Sequence, residues 1–248
     1  MRWKHRDDPT DHSEICSPFF HGKRKLNWKT LIPFFSLAVL LSAGLTVLGY
    51  SLRPPRRTLI YICKPLTMVL VFAVAALPGT LFRDPYALAI GIGLVFSLAG
   101  DVWEMLDRRH FLKTLASFLI AHLCYTAAFL ADPPAVRFLW AAIPLAFIGA
   151  GIFAYLWTSL SAASKPAVAL YVAVITVMAT LAAGRAVAFP SMGTLSAASG
   201  ALLFLASDAV LAVNRFRRPF HSAQAVILTS YFAAQLLIAL SVGLQVLQ

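Results

Sequence analysis

Charge is scarce in this chain, and acidic charge is scarcer still. Only 12% of the 248 residues are charged, with 10 Asp and Glu against 21 Lys and Arg. A soluble domain carries about 25% charged residues, so the composition argues against a soluble fold. Cysteine is equally thin. Cys16, Cys63 and Cys124 are scattered, odd in number and free of any CxxC spacing. That excludes a disulfide framework and a cysteine metal site and leaves the three as small apolar fillers. Neither HExxH nor HxxxH occurs. Of the histidines only His122 lies within a long apolar run, with His110 and His221 at run edges. A zinc hydrolase needs several such ligands, so no metal and no cofactor is expected. Ser97 and Ser207 lack a GxSxG setting, which argues against a serine nucleophile. Alternating ten-residue segments are also missing, and with them the signature of a membrane β-barrel.

What the chain has in abundance is apolar length. It is 60% hydrophobic, with a mean hydropathy of +0.78. A spanning helix needs roughly 20 mostly apolar residues. Eight runs qualify, at 31–50, 59–77, 86–106, 111–130, 138–157, 167–184, 196–213 and 224–246. The expectation is an all-α integral membrane protein of eight transmembrane helices. Residues 1–30 read as a poorly ordered basic tail, and residues 31–248 as one transmembrane catalytic domain with an uncleaved first span. His5, His12 and His21 fall in that tail and read as tail residues rather than metal ligands. Trp28, Trp103, Trp140 and Trp157 stand near run ends, as belt residues do. So little chain is left for loops that function must sit within the bundle. The formal net charge of +11 belongs to Lys and Arg beside the helices, where they orient the chain and meet anionic lipid head groups. With no basic domain and no readout motif, nucleic acid is not an expected partner.

Two of the helices carry an aspartate at the same place. "GLVFSLAGDVW" (93–103) and "GALLFLASDAVL" (200–211) align Asp101 with Asp208, Gly93 with Gly200, Leu98 with Leu205 and Ala99 with Ala206. Each run ends in an arginine-bearing loop, "DRRHF" or "NRFRRPF", and after a two-residue slip His122 falls on Tyr231. A Lys-Pro pair, Lys64-Pro65 and Lys165-Pro166, precedes or opens the second and sixth helices. A repeat distance of four helices keeps both copies in one orientation, so the expectation is two parallel four-helix repeats. Counting sides brings Asp101, Asp208, Lys64, His122, Tyr125, Tyr231 and Gln235 toward one shallow polar cavity, and puts Arg185 on the opposite face. Loops on the cavity face hold ten basic residues (Arg53, Arg56, Arg57, Arg108, Arg109, Lys113, Lys165, Arg215, Arg217 and Arg218), and the opposite loops hold three, Arg83, Arg137 and Arg185. The positive-inside rule then turns the cavity to the cytoplasm, although the seven basic residues of the tail pull the other way.

An aspartate at a helix centre costs about 2.5–3.5 kcal/mol on insertion scales, and such residues are functional or paired across the bundle. A structural Lys64–Asp ion pair is one reading of this cluster. The other is chemistry: two carboxylates in one dehydrated cavity resist ionising together, so one acts as general acid and the other as base. That pairing suits acid-assisted hydrolysis of an acetal-like C–O bond through an oxocarbenium ion. Glu104, three residues after Asp101, is either a third carboxylate or an interfacial residue. His122 reads as a core, active-site or metal-binding histidine.

Five motifs taken in order, "KPLTM" (64–68), "GLVFSLAGDV" (93–102), "AHLCYTAAF" (121–129), "GALLFLASDAVLAVNRF" (200–216) and "YFAAQLLIALS" (231–241), resemble the YhhN-like lysoplasmalogenase family of eight-span membrane proteins. The resemblance covers residues 60–242 and leaves residues 1–30 outside. It implies hydrolysis of the vinyl-ether bond of a lysoplasmalogen, giving a fatty aldehyde and glycerophosphocholine or -ethanolamine. The implied catalytic pair is Asp101 and Asp208. The implied substrate-binding residues are Lys64, His122, Tyr125, Asn214, Tyr231 and Gln235. The implied partners are a lysophospholipid substrate and the lipids of the cell (inner) membrane. The competing class is a transporter or lipid-binding protein using the same intramembrane charges. A carrier needs the aspartates reachable from both faces in turn, whereas a hydrolase needs one opening.

Overall fold

In lipid every backbone polar group must be satisfied within the protein, and a helix does this within a single segment. The computed structural model describes residues 27–106, 110–130 and 142–247, and among these it shows eight α-helices and no strand. They are α1 (Trp28–Ser51), α2 (Arg57–Ala76), α3 (Pro85–Leu106), α4 (Phe111–Phe129), α5 (Ala142–Leu156), α6 (Ser164–Ala188), α7 (Met192–Phe216) and α8 (Ala223–Val246). Seven are long and apolar enough to cross a membrane. The exception is α5, with 15 residues followed by a single 3-10 turn at Trp157–Ser159. Residues 138–141 of the expected fifth span, like the tail through residue 26, Arg108, Arg109 and Arg137, lie outside the described residues.

Three of the helix ends that differ from the sequence reading do so for a local reason. Asn27 caps α1, its side chain accepting from the Lys29 N–H at 3.1 Å, so residues 28–30 are helix rather than tail. Ser191 starts α7 four residues early through a capping box with Thr194. At the far end of α6, the Arg185 guanidinium lies 4.5 Å over the Tyr86 ring and, with the Gln245 amide turned so that its oxygen faces the guanidinium, donates to that oxygen at 2.8 and 3.1 Å. Held this way, a charged residue rides inside the helix, which runs on to Ala188.

Several hydroxyls inside the apolar helices are satisfied by backbone carbonyls, in two ways. Thr46, Thr126 and Thr180 donate to carbonyls four residues back at 2.7–2.9 Å. Ser42, Ser196 and Ser207 cross to a neighbouring helix, reaching the carbonyls of Cys63, Leu237 and Ile227 at 2.7–3.1 Å. The helices pair in sequence, α1 with α2, α3 with α4 and α7 with α8, while α2 also packs on α8 and α4 on α6. Of the seven long spans, α8 is the most buried and α1 the least.

The side counting holds for the described loops. Arg53 of the α1–α2 loop meets His221 of the α7–α8 loop. Arg217 donates to Thr158 and Ser159 after α5, at 2.6 and 3.0 Å. Tyr61 near the start of α2 reaches the Met105 carbonyl at the end of α3. Arg185, Tyr86 and Gln245 gather at the other end of the bundle.

Glycine sets the closest helix approaches. A Cβ on Gly93 would meet the Tyr125 ring at 2.3 Å, and one on Gly200 would meet the Ala234 carbonyl of α8 at 2.8 Å. Because the second obstacle is backbone, Gly200→Ala must push α7 off α8. It should destabilise the purified protein by about 1–3 kcal/mol, read as a lower melting midpoint in detergent. Gly44→Ala, where nothing lies within 4 Å, should leave the midpoint unchanged or raise it.

Candidate active site

The intramembrane charges meet at the loop-rich end of the bundle. Lys64 lies two turns inside α2 and is fully buried. Its Nζ is 3.1 Å from Asp101 Oδ1 and 2.5 Å from Glu104 Oε2. Asp101 and Glu104 stand one turn apart on α3, so a single ammonium bridges both. The other oxygen of Asp101 accepts from the Tyr231 hydroxyl of α8 at 2.7 Å. Asp101 is thus a buried carboxylate with one cation and one hydroxyl donor.

Asp208 has different company. Its Oδ2 accepts from the Tyr171 hydroxyl of α6 at 2.5 Å. His122 Nε2 of α4 stands 3.7 Å from the same oxygen, beyond direct hydrogen-bonding distance. Neither ring nitrogen of His122 makes a hydrogen bond of normal geometry among the described residues. The ring is fixed by packing edge-on against Phe204 and Tyr171, with centroids 4.6 and 5.2 Å away.

Asp101 and Asp208 line one small cavity with Lys64, Glu104, Ser207 and Tyr231, closed by Phe118, Leu211, Ile227 and Leu228. Its volume of about 20 Å³ suits a single water molecule. A second cavity of about 80 Å³ lies among α4, α5, α6 and α7 and is lined almost wholly by apolar side chains. Asp208, Phe118 and Leu211 line both. Asp208 therefore stands where a water-sized space bordered by the charged side chains adjoins a larger, apolar one.

Of the residues singled out from sequence, Lys64, Asp101, His122, Asp208 and Tyr231 converge. Tyr125 and Gln235 form a separate buried pair, hydroxyl to Oε1 at 2.8 Å, which packs beneath Phe204 and does not line the small cavity. Asn214 does not join either group. It sits near the end of α7, where its Oδ1 accepts from the Phe220 N–H at 3.2 Å and closes the turn into α8. Glu104 proves to be a partner of Lys64, not a bystander at the interface. Ser207 is committed to the Ile227 carbonyl at 3.0 Å and serves packing.

Tyr171 is the member that the sequence reading missed. The Lys-Pro match set Lys165 opposite Lys64, but Lys165 lies at the start of α6 with its ammonium 4.0 Å over Trp157. The shift of 107 residues that takes Asp101 to Asp208 takes Lys64 to Tyr171. That shift was the available signal, and the change from lysine to tyrosine concealed it.

The YhhN family profile matches residues 59–242. Human lysoplasmalogenase TMEM86A is 36% identical over 185 residues, 72% of this chain and 75% of the relative. Pig lysoplasmalogenase TMEM86B is 32% identical over 185 residues, 73% of each. The membrane protein YhhN of Escherichia coli O157:H7 is 32% identical over 210 residues, 84% of this chain and 98% of the relative. No solved structure matches the chain. A match that runs from the second helix through the eighth, across every helix that contributes to the buried cluster, establishes that this chain belongs to the YhhN family.

Proposed function

We propose that this chain is a lysoplasmalogenase, hydrolysing the vinyl-ether bond of an alkenyl-glycerophospholipid to a fatty aldehyde and a glycerophospho-alcohol. The carrying observation is the pair of carboxylates on one water-sized cavity, held in unlike settings. Relatives named lysoplasmalogenase over most of the chain support the substrate class. Placement of both aspartates at one end of the bundle favours the hydrolase over a carrier.

The unlike settings support a division of roles. Asp101 faces the Lys64 ammonium and the Tyr231 hydroxyl, which favours the anion. Asp208 borders the apolar cavity, where the alkenyl chain lies, and is the proton donor. Its proton passes to the β-carbon of the vinyl ether, and the C=C electron pair forms the new C–H bond. The resulting oxocarbenium ion is captured at C1 by water, whose proton goes to Asp101. The hemiacetal then collapses: the C1 hydroxyl gives its proton to Asp208 as the C–O bond breaks, and Asp101 passes its proton to the departing glycerol oxygen. The net reaction consumes one water and restores both carboxyls. Tyr171 orients Asp208, and His122, 3.7 Å away, is within reach of it through a small shift or a bridging water.

The same cluster supports two parallel four-helix repeats around the shared cavity. In the first copy Asp101 is held from α2 and α8, and in the second Asp208 is approached from α6 and α4. The packing of α2 on α8 answers that of α4 on α6. Arginine-bearing loops at the cavity end turn it to the cytoplasm of the inner membrane.

Purified protein with chelator present should release aldehyde from alkenyl-lysophospholipid. Asp101→Asn and Asp208→Asn should each lower the rate at least about 100-fold while eluting as folded protein, and wild-type-like release from either variant would sink the two-carboxylate mechanism. Tyr171→Phe should keep the fold and cost about tenfold in rate, measured in the same assay. In water enriched with oxygen-18, attack at C1 leaves the glycerophospho product unlabelled. Label found there by mass spectrometry would mean cleavage of the other C–O bond.

A further inference from the structure

We propose that the apolar cavity among α4, α5, α6 and α7 seats the single hydrocarbon chain of a glycerophospholipid, with Arg215 at its mouth holding the phosphodiester. This site rests on the hydrolase reading and gives that reading a substrate orientation.

Arg215 and Asp208 line the same cavity from α7. Seven residues separate them, two turns on one face and about 10 Å along the axis. The Arg215 guanidinium lies 4.1 Å over the Phe111 ring, and Phe111 meets Phe216 edge-to-face at 5.7 Å. Both rings line the cavity, so the mouth is an aromatic rim carrying a planar cation. Guanidinium binds phosphate oxygens in bidentate fashion. At the level of Asp208 and deeper, the walls are Val172, Ile175 and Leu205, which offer nothing to a polar group and dispersion contacts to a methylene chain. Polarity thus runs in the order phosphate site, carboxyl, apolar chamber. A lysoplasmalogen runs in the same order: phosphate, vinyl ether, chain. The glycerol backbone and the arginine side chain together cover the two turns between Arg215 and Asp208. One chamber bordering Asp208 takes one chain, which selects a lysolipid over its two-chain parent.

Binding of an ether lipid without the vinyl group separates this site from catalysis. The probes are hexadecyl-glycerophosphocholine, its octyl counterpart and phosphate-free hexadecyl-glycerol, titrated against full-length protein in nanodiscs. Arg215→Gln should weaken both phosphocholine probes about tenfold and leave hexadecyl-glycerol unchanged. Arg218→Gln, outside the cavity lining, should change nothing. Val172→Phe, or Leu205→Trp if the first fails to fold, should weaken the hexadecyl probes at least about tenfold more than the octyl one. Equal losses for probes with and without phosphate, or equal losses at both chain lengths, would overturn the site even if aldehyde release persists. The expected pattern in a wild-type protein that releases no aldehyde would uphold the site and overturn the hydrolase reading.

Discussion

Everything at the polar end of this bundle turns on one ammonium group. Lys64 sits fully buried between Asp101 and Glu104, where an ion without partners would cost several kcal/mol. Two carboxylates on consecutive turns of α3 offset that cost, and in doing so they lock α2 to α3. The Tyr231 hydroxyl then has a fixed anion to donate to, which ties α8 to the same point. A lysine in place of an apolar residue therefore decides how three helices meet. It also gives Asp101 an ionic partner and leaves Asp208 in a setting without a lysine.

That asymmetry bears on how a repeated element acquires two functions. Asp101 and Asp208 occupy matching positions on α3 and α7, and the matching helices approach them. The residue types differ: lysine and tyrosine on one side, tyrosine and histidine on the other. The side chains around the two carboxyls give them unlike company.

Much of this cluster is legible in the sequence because burying charge in lipid is so unfavourable that few positions carry it. The two aspartates, Lys64, His122 and Tyr231 stand out against apolar runs, and counting helices puts them on one side. Tyr171 does not stand out, since a tyrosine in a spanning helix reads as an aromatic filler until its hydroxyl is seen against Asp208. Dipeptide identity was a poorer guide than a constant shift, which is why Lys165 displaced it. Asn214 came from motif resemblance, and its side chain instead closes a turn. The early start of α7 was hidden because its signal lies in a serine and a threonine three residues apart, and hydropathy is blind to a capping box. Nothing in residue order reveals the two cavities, because they exist only between helices distant in the chain.

Asp208 stands on the boundary between those cavities, and under the proposed mechanism that position separates the products. A cleaved ether leaves an oily aldehyde on one side of that carboxyl and a water-soluble phosphodiester on the other. The first has its natural outlet in the bilayer and the second in the aqueous phase beyond Arg215. Once the fragments part into two solvents, their re-encounter at the site becomes rare. Partition then adds to the free energy that converting a vinyl ether to an aldehyde already releases.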